Sequence, residues 1–144
     1  MANTSSKVER INEILQETIY SIENSKEEIT EIVEYARDDV KVIEKELLEI
    51  KERVDKVIRE VDLLEVEERK GRAYLSNVSK NFNIYTEEDL KIAYDKANEV
   101  RIRLLLKREE EKRLIERRKE EELRLKSAIE VYRKAENVRK SVSV

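Results

Sequence analysis

The sequence predicts an all-α protein of long coiled-coil helices, antiparallel or parallel, with one corner at about residues 82–86 and a homodimeric assembly. Three observations carry this. Ile29, Val33, Ala36, Val40, Ile43, Leu47, Ile50, Val54, Val57, Val61 and Leu64 form an apolar ladder whose rungs step alternately by four and three, with no polar rung. A stripe repeating every ~3.5 residues stays on one side of a helix only if that helix supercoils around a partner. The 144 residues include one glycine and no proline, so almost nothing interrupts a helix. Charged residues make up 45% and aromatics 5%, the composition of solvated helices sharing a thin seam rather than of a compact core.

Residues 1–6 are small and polar and read as a disordered tail. Ser6 followed by Glu9 is a capping box, so a short helix is expected over 7–24. Its apolar residues, Val8, Ile11, Ile14, Leu15, Ile19 and Ile22, form a stripe wider than a two-helix seam requires. Asn24-Ser25 offers a stop, and Ser25 with Glu28 repeats the capping pattern; yet Ile22 to Ile29 is one heptad, so continuation remains equally open.

The remainder, 25–144, reads as one elongated coiled-coil domain with long helices over 25–81 and 87–141. In the first of them the ladder is interrupted at Glu68 and Gly71 and resumes in phase at Leu75, Val78 and Phe82. Arg69-Lys70 before the single glycine would suit a helix end, but the unshifted phase favours a continuous helix with a soft spot. Asn81 to Tyr85 carries no charge; Thr86 with Asp89, and an acidic first turn of Glu87, Glu88 and Asp89, marks a new N-terminus. The second helix opens on Leu90, Ala93, Tyr94, Ala97, Val100, Leu104 and Leu105. From Lys107 to Arg124, 15 of 18 residues are charged, and opposite charges such as Glu109 with Arg113 recur at helical spacing.

A hairpin at the corner lays Leu90–Leu105 against Val66–Phe82. Farther along, only Leu114 and Ile115 answer the strongest rungs, Ile50 to Leu64. Burying one such side chain is worth ~1.5–3 kcal/mol, more than a helix presenting mostly Glu and Arg is expected to supply. The ladder is therefore expected to meet its own copy: Ile29, Val33, Val40, Ile43, Leu47, Ile50, Val54, Val57, Val61 and Leu64 are the expected dimer seam. Valine at the a-type positions favours two parallel strands, and Ile29, Ile43 and Ile50 at d-type positions blunt that preference.

The absences bound function. With no histidine, the commonest general base and the phosphorelay acceptor are missing. With no cysteine there is no disulfide, thiolate chemistry or Cys-type zinc site. No Gly-rich phosphate loop or nucleophile elbow is present, so no catalytic, cofactor-binding or metal residue is assigned. A net charge of −3 and the alternating signs of Lys107–Arg124 disfavour nucleic acid. No apolar run approaches the ~20 residues of a membrane span, and no signal-peptide core precedes it, so a soluble cytoplasmic chain is expected.

One resemblance gives these helices a purpose. Leu64-Glu65-Val66, Arg69, Arg72, Leu75-Ser76, Val78-Ser79-Lys80-Asn81-Phe82, Thr86-Glu87-Glu88, Ala93-Tyr94 and Lys96-Ala97 occur in the order and spacing of the N-terminal sensor domain of the DegS histidine kinases. Glu111–Arg118, with Leu114 and Arg117-Arg118, and Ser25-Lys26 fit the same pattern. The resemblance covers most of the chain, is strongest from Leu64 to Arg118, and includes no catalytic motif. It implies the input half of a cytoplasmic two-component kinase that is also a phosphatase, acting on the response regulator DegU. The phosphoacceptor histidine and the ATP site would lie past residue 144, leaving this chain without cofactor. Regulatory proteins would read the helix surface. The alternative is a structural coiled-coil spacer without switching.

Three local candidates follow. Glu68 and Gly71 are hinge candidates because seam packing is poorest there, although both are compatible with tolerated imperfections. Ser76, one step past Leu75, faces outward and is a phosphorylation candidate, flanked by Arg72 and Lys80; an ordinary exposed serine is the plainer reading. Phe82, Tyr85, Tyr94 and Tyr132 suit seam filling better than a ligand pocket.

Overall fold

A computed structural model of the chain describes residues 2–81 and 83–142, with side chains from Lys7 onward. Two α-helices account for nearly all of it: α1, Ala2–Lys80, and α2, Glu87–Val142. No strand occurs among the described residues. The fold is all-α, as the sparse helix breakers require.

Helix α1 is unbroken through both places where the sequence left a stop open. At Asn24-Ser25 the Ser25 hydroxyl donates to the Ser21 carbonyl (2.9 Å) instead of capping a new helix, and Thr18 and Thr30 bond back to Ile14 and Lys26 in the same way. Backbone helix already exists at Ala2, ahead of the capping position assigned to Ser6, whose side chain lies outside the described residues. At Gly71 the helix also continues.

The corner forms where turn chemistry concentrates. The Asn81 carbonyl accepts from the amides of Ile84 (3.1 Å) and Tyr85 (3.2 Å), and the Asn81 side-chain amide donates to the Asn77 carbonyl (2.8 Å). Thr86 and Asp89 make a reciprocal capping box: the Asp89 amide donates to the Thr86 hydroxyl (3.2 Å) and the Thr86 amide to the Asp89 carboxylate (2.9 Å). Tyr85 closes the turn with its ring edge-on to Tyr74, centroids 6.2 Å apart. Phe82 lies outside the described residues.

The chain divides into two compact units: Glu46–Glu122, and Met1–Lys45 together with Leu123–Val144. In Glu46–Glu122 the two helices form an antiparallel hairpin, shown by Glu60 meeting Lys107 while Gly71 meets Ala97. Val57, Val61, Leu64 and Leu104 make its buried cluster, with Leu114 packed on it. In the other unit Val33, Ile43 and Ala128 are the buried residues.

The ladder on α1 is largely buried within the single chain. Ile43 and Val54 are each 1% exposed, and Val33, Leu47, Ile50, Val57, Val61 and Leu64 are also buried, within a single chain. The set assigned to a dimer seam is therefore already covered, with Ile29 and Val40 half-buried. In Glu46–Glu122 that cover includes Leu104 and Leu114 of α2, which pack with Val57, Val61 and Leu64. Lys107 shares a groove with Leu64 while its ammonium reaches Glu60 and Glu110, the way a long methylene stem lies on apolar surface with its charged head in water.

Candidate functional site

Every rung of α2 that faces α1 can be named from the spacing. Leu90, Ala93, Ala97, Val100, Leu104, Lys107, Glu111, Leu114, Arg118, Glu121, Leu125, Ala128, Tyr132, Ala135, Arg139 and Val142 step by three and four without exception, and each is buried or half-buried. The partner ladder on α1 is as regular through Glu68, Gly71, Leu75 and Val78. Lys107, Glu111, Arg118 and Glu121 were missed as seam residues because they are charged. Their heptad position, counted regardless of polarity, is the signal that finds them.

Lys107 shows how a charge sits on a seam. It shares a groove with Leu64 and Leu106, and its ammonium bonds Glu60 across the hairpin and Glu110 (3.2 Å) one turn along α2. The hydrogen bond to Glu60, then that to Glu110, holds the Lys107 pKa above the ordinary lysine value; the bond from Lys107 holds the Glu60 carboxyl below its usual range. Arg108 adds a second bridge between the helices, to Glu65 at 3.1 Å. These contacts fix which turn of α2 opposes which turn of α1 and contribute little to stability, since both pairs remain open to water.

Nearer the corner the seam changes character. Opposite Gly71 is Ala97, and a Cβ built on Gly71 would sit 3.7 Å from the Ala97 Cα. Small residues on both sides leave an open groove of about 420 Å³ lined by Gly71, Tyr74, Ala93, Ala97 and Val100, with Glu67, Lys70 and Lys96 at its rim. On the other flank, Glu68, Leu75, Tyr94, Asn98 and Arg101 line a smaller one. Glu68 is held at the seam edge by Arg72, 2.7 Å away. The two hinge candidates thus fall together where small residues, Gly71, Ala93 and Ala97, leave open grooves between the helices.

The other candidates are dispersed. Ser76 is exposed on α1. Tyr94 is exposed, Tyr85 packs on Tyr74, and Tyr132 donates to Glu136 (2.9 Å), so they line no common pocket. That bond to Glu136 also pushes the Tyr132 hydroxyl above its ordinary value. Among the described residues no group of three or more Asp or Glu side chains is placed to hold a metal ion, and no helix is long and apolar enough to cross a membrane.

Comparison with known proteins places this pair of helices. The chain is 34% identical over 134 residues to the signal transduction histidine-protein kinase/phosphatase DegS of Bacillus subtilis (strain 168), which covers 93% of this chain and 35% of that protein. It is 34% identical over 128 residues to the protein of the same description from Brevibacillus brevis, covering 89% of this chain and 33% of that one. The chain thus spans about a third of the length of the curated relatives it matches. No solved structure matches it. Residues 12–144 match the family described as "Sensor protein DegS", and the chain belongs to that family of sensor proteins.

Proposed function

We propose that this chain is the cytoplasmic input domain of a two-component histidine kinase/phosphatase, and that it passes a conformational signal along its helix pair to a catalytic part elsewhere in the protein. The observation that supports this is the match of 93% of the chain to a protein whose name states kinase and phosphatase activity. The phosphoacceptor histidine and the ATP site belong to the remaining two thirds, since this chain has no histidine and no phosphate-binding loop. The partner that receives the phosphoryl group is the response regulator DegU.

The relay proceeds through the seam. A two-state element needs two packings of similar energy. The section around Glu68 and Gly71, with grooves on both flanks, has the spare volume for α2 to shift against α1. The Glu60–Lys107 and Arg108–Glu65 bridges hold one register and would break in another. The whole protein works as a homodimer, but its dimer contact is not the Ile29–Leu64 ladder, which α2 occupies. Sedimentation of residues 1–144 as a monomer at micromolar concentration is expected; a tight dimer of this chain would restore the ladder as the contact.

The test of the relay is the double substitution Glu68→Leu with Gly71→Ala in the whole protein, which completes the apolar seam. Autophosphorylation and DegU dephosphorylation are measured together. A change in their ratio supports the relay. An unchanged ratio, with a raised melting temperature showing that the seam has tightened, refutes it and leaves a rigid spacer.

A further inference from the structure

One apolar face of the molecule has no cover. Val8, Ile11, Leu15, Ile19 and Ile22 are 48–56% exposed, although they lie on an unbroken helix. Successive positions on a helix turn by about 100°, which places these five within one stripe. The stripe is no separate surface. Counting back from Ile29 in steps of three and four gives Lys26, Ile22, Ile19, Leu15, Asn12 and Val8, so it is the same edge of α1 that α2 covers farther along. The rungs go from buried at Val33, through half-buried at Ile29, to exposed at Ile22.

The register says what would cover it. Within Glu46–Glu122, Gly71 faces Ala97, so rungs there pair when their numbers add to about 168, and the stepping by three and four has the same period in the unit that holds the stripe. In the unit that holds the stripe, Arg37 acts electrostatically on the Tyr132 hydroxyl, in keeping with that pairing. Ile22, Ile19, Leu15 and Val8 then require partners about two, five, nine and sixteen places past Val144. The curated relatives are about three times as long as this chain, so a family member of that size has residues to place there.

We infer that in the whole protein the segment following Val144 continues α2 as a helix and lies along the Val8–Ile22 face of α1, extending the intramolecular seam. A second copy is the poorer occupant. The phase of the stripe is that of the α1–α2 seam, and about two heptads of parallel coiled coil are marginal alone in water. A helical cover also makes the N-terminal quarter of α1 a clamp on the segment that leaves this domain. The inference rests on the length of the family's proteins and on the register, and it holds whether or not a signal is relayed.

The experiment uses the whole protein with its own cysteines replaced, since residues 1–144 contain none. Ile19→Cys is combined with a cysteine at the fifth place past Val144, and Leu15→Cys separately with one at the ninth. Mild oxidation is expected to give a disulfide at monomer mass in either variant, while Ile19→Cys alone and a control with Glu17→Cys, on the opposite side of α1, stay uncrosslinked. Cross-linking of Ile19→Cys alone at dimer mass would overturn the inference in favour of a second copy. Paired cysteines that stay reduced in both variants, in a protein whose helical content is unchanged, would overturn it outright. The sequence past Val144 is a further check: polar residues at the second, fifth and ninth places would contradict a seam.

Discussion

Gly71→Ala isolates the one place where α1 gives up both helix propensity and seam volume. Glycine in a helix interior costs about 1 kcal/mol relative to alanine, because it has more backbone freedom to lose on folding. The backbone at Gly71 is helical, so alanine adopts it without strain. The added methyl would lie 3.7 Å from the Ala97 Cα and 3.8 Å from its Cβ, ordinary contact distances at which nothing has to move. Half-burying that methyl adds roughly 0.4 kcal/mol. The sum is a stabilisation of about 1–1.5 kcal/mol, or about 3–5 °C in melting temperature for a chain of this size. Chemical denaturation followed by far-UV circular dichroism reads it as a raised midpoint with an unchanged slope. A lower midpoint for Gly71→Ala would refute the close approach of the two helices at this point.

Other consequences are measurable in the same way. Leu104→Ala removes the α2 side chain from the cluster of Val57, Val61 and Leu64 and is expected to cost about 2–3 kcal/mol in denaturant unfolding. Lys107→Met keeps the stem beside Leu64 and removes the cation, so stability at neutral pH should change little. Its acid dependence should change as well. Glu60 has a depressed pKa in the folded protein, so its contribution is present above the ordinary carboxylate value and is lost as the pH falls through the depressed one. Thermal melts of Lys107→Met across the carboxylate range should therefore be flatter than those of the parent. Ser76 is exposed, and Ser76→Asp should leave the unfolding free energy within about 0.5 kcal/mol of the parent while adding charge beside Arg72 and Lys80. A shifted kinase-to-phosphatase ratio in the whole protein would identify Ser76 as a modification site, and an unaltered ratio would dismiss it.

The sequence by itself determined that the chain is helical and where its corner lies. Composition excludes strands, the Thr86–Asp89 cap starts α2 where turn chemistry says it must, and the four-three stepping from Ile29 to Leu64 identifies the edge of α1 that seeks a partner. These are local properties, set by propensity, capping and periodicity within a few turns. Two matters were decided only by the tertiary structure. Whether Asn24 and Gly71 stop α1 depends on competing local signals of similar size, and in both places the helix continues. The covering of the ladder in Glu46–Glu122 was decided by the antiparallel hairpin, which sets Leu104 and Leu114 on Val57, Val61 and Leu64 and brings Lys107 to Glu60. A residue type states how much charge a side chain carries. Only its position against another helix states what its hydrocarbon stem lies beside, as Lys107 next to Leu64 shows.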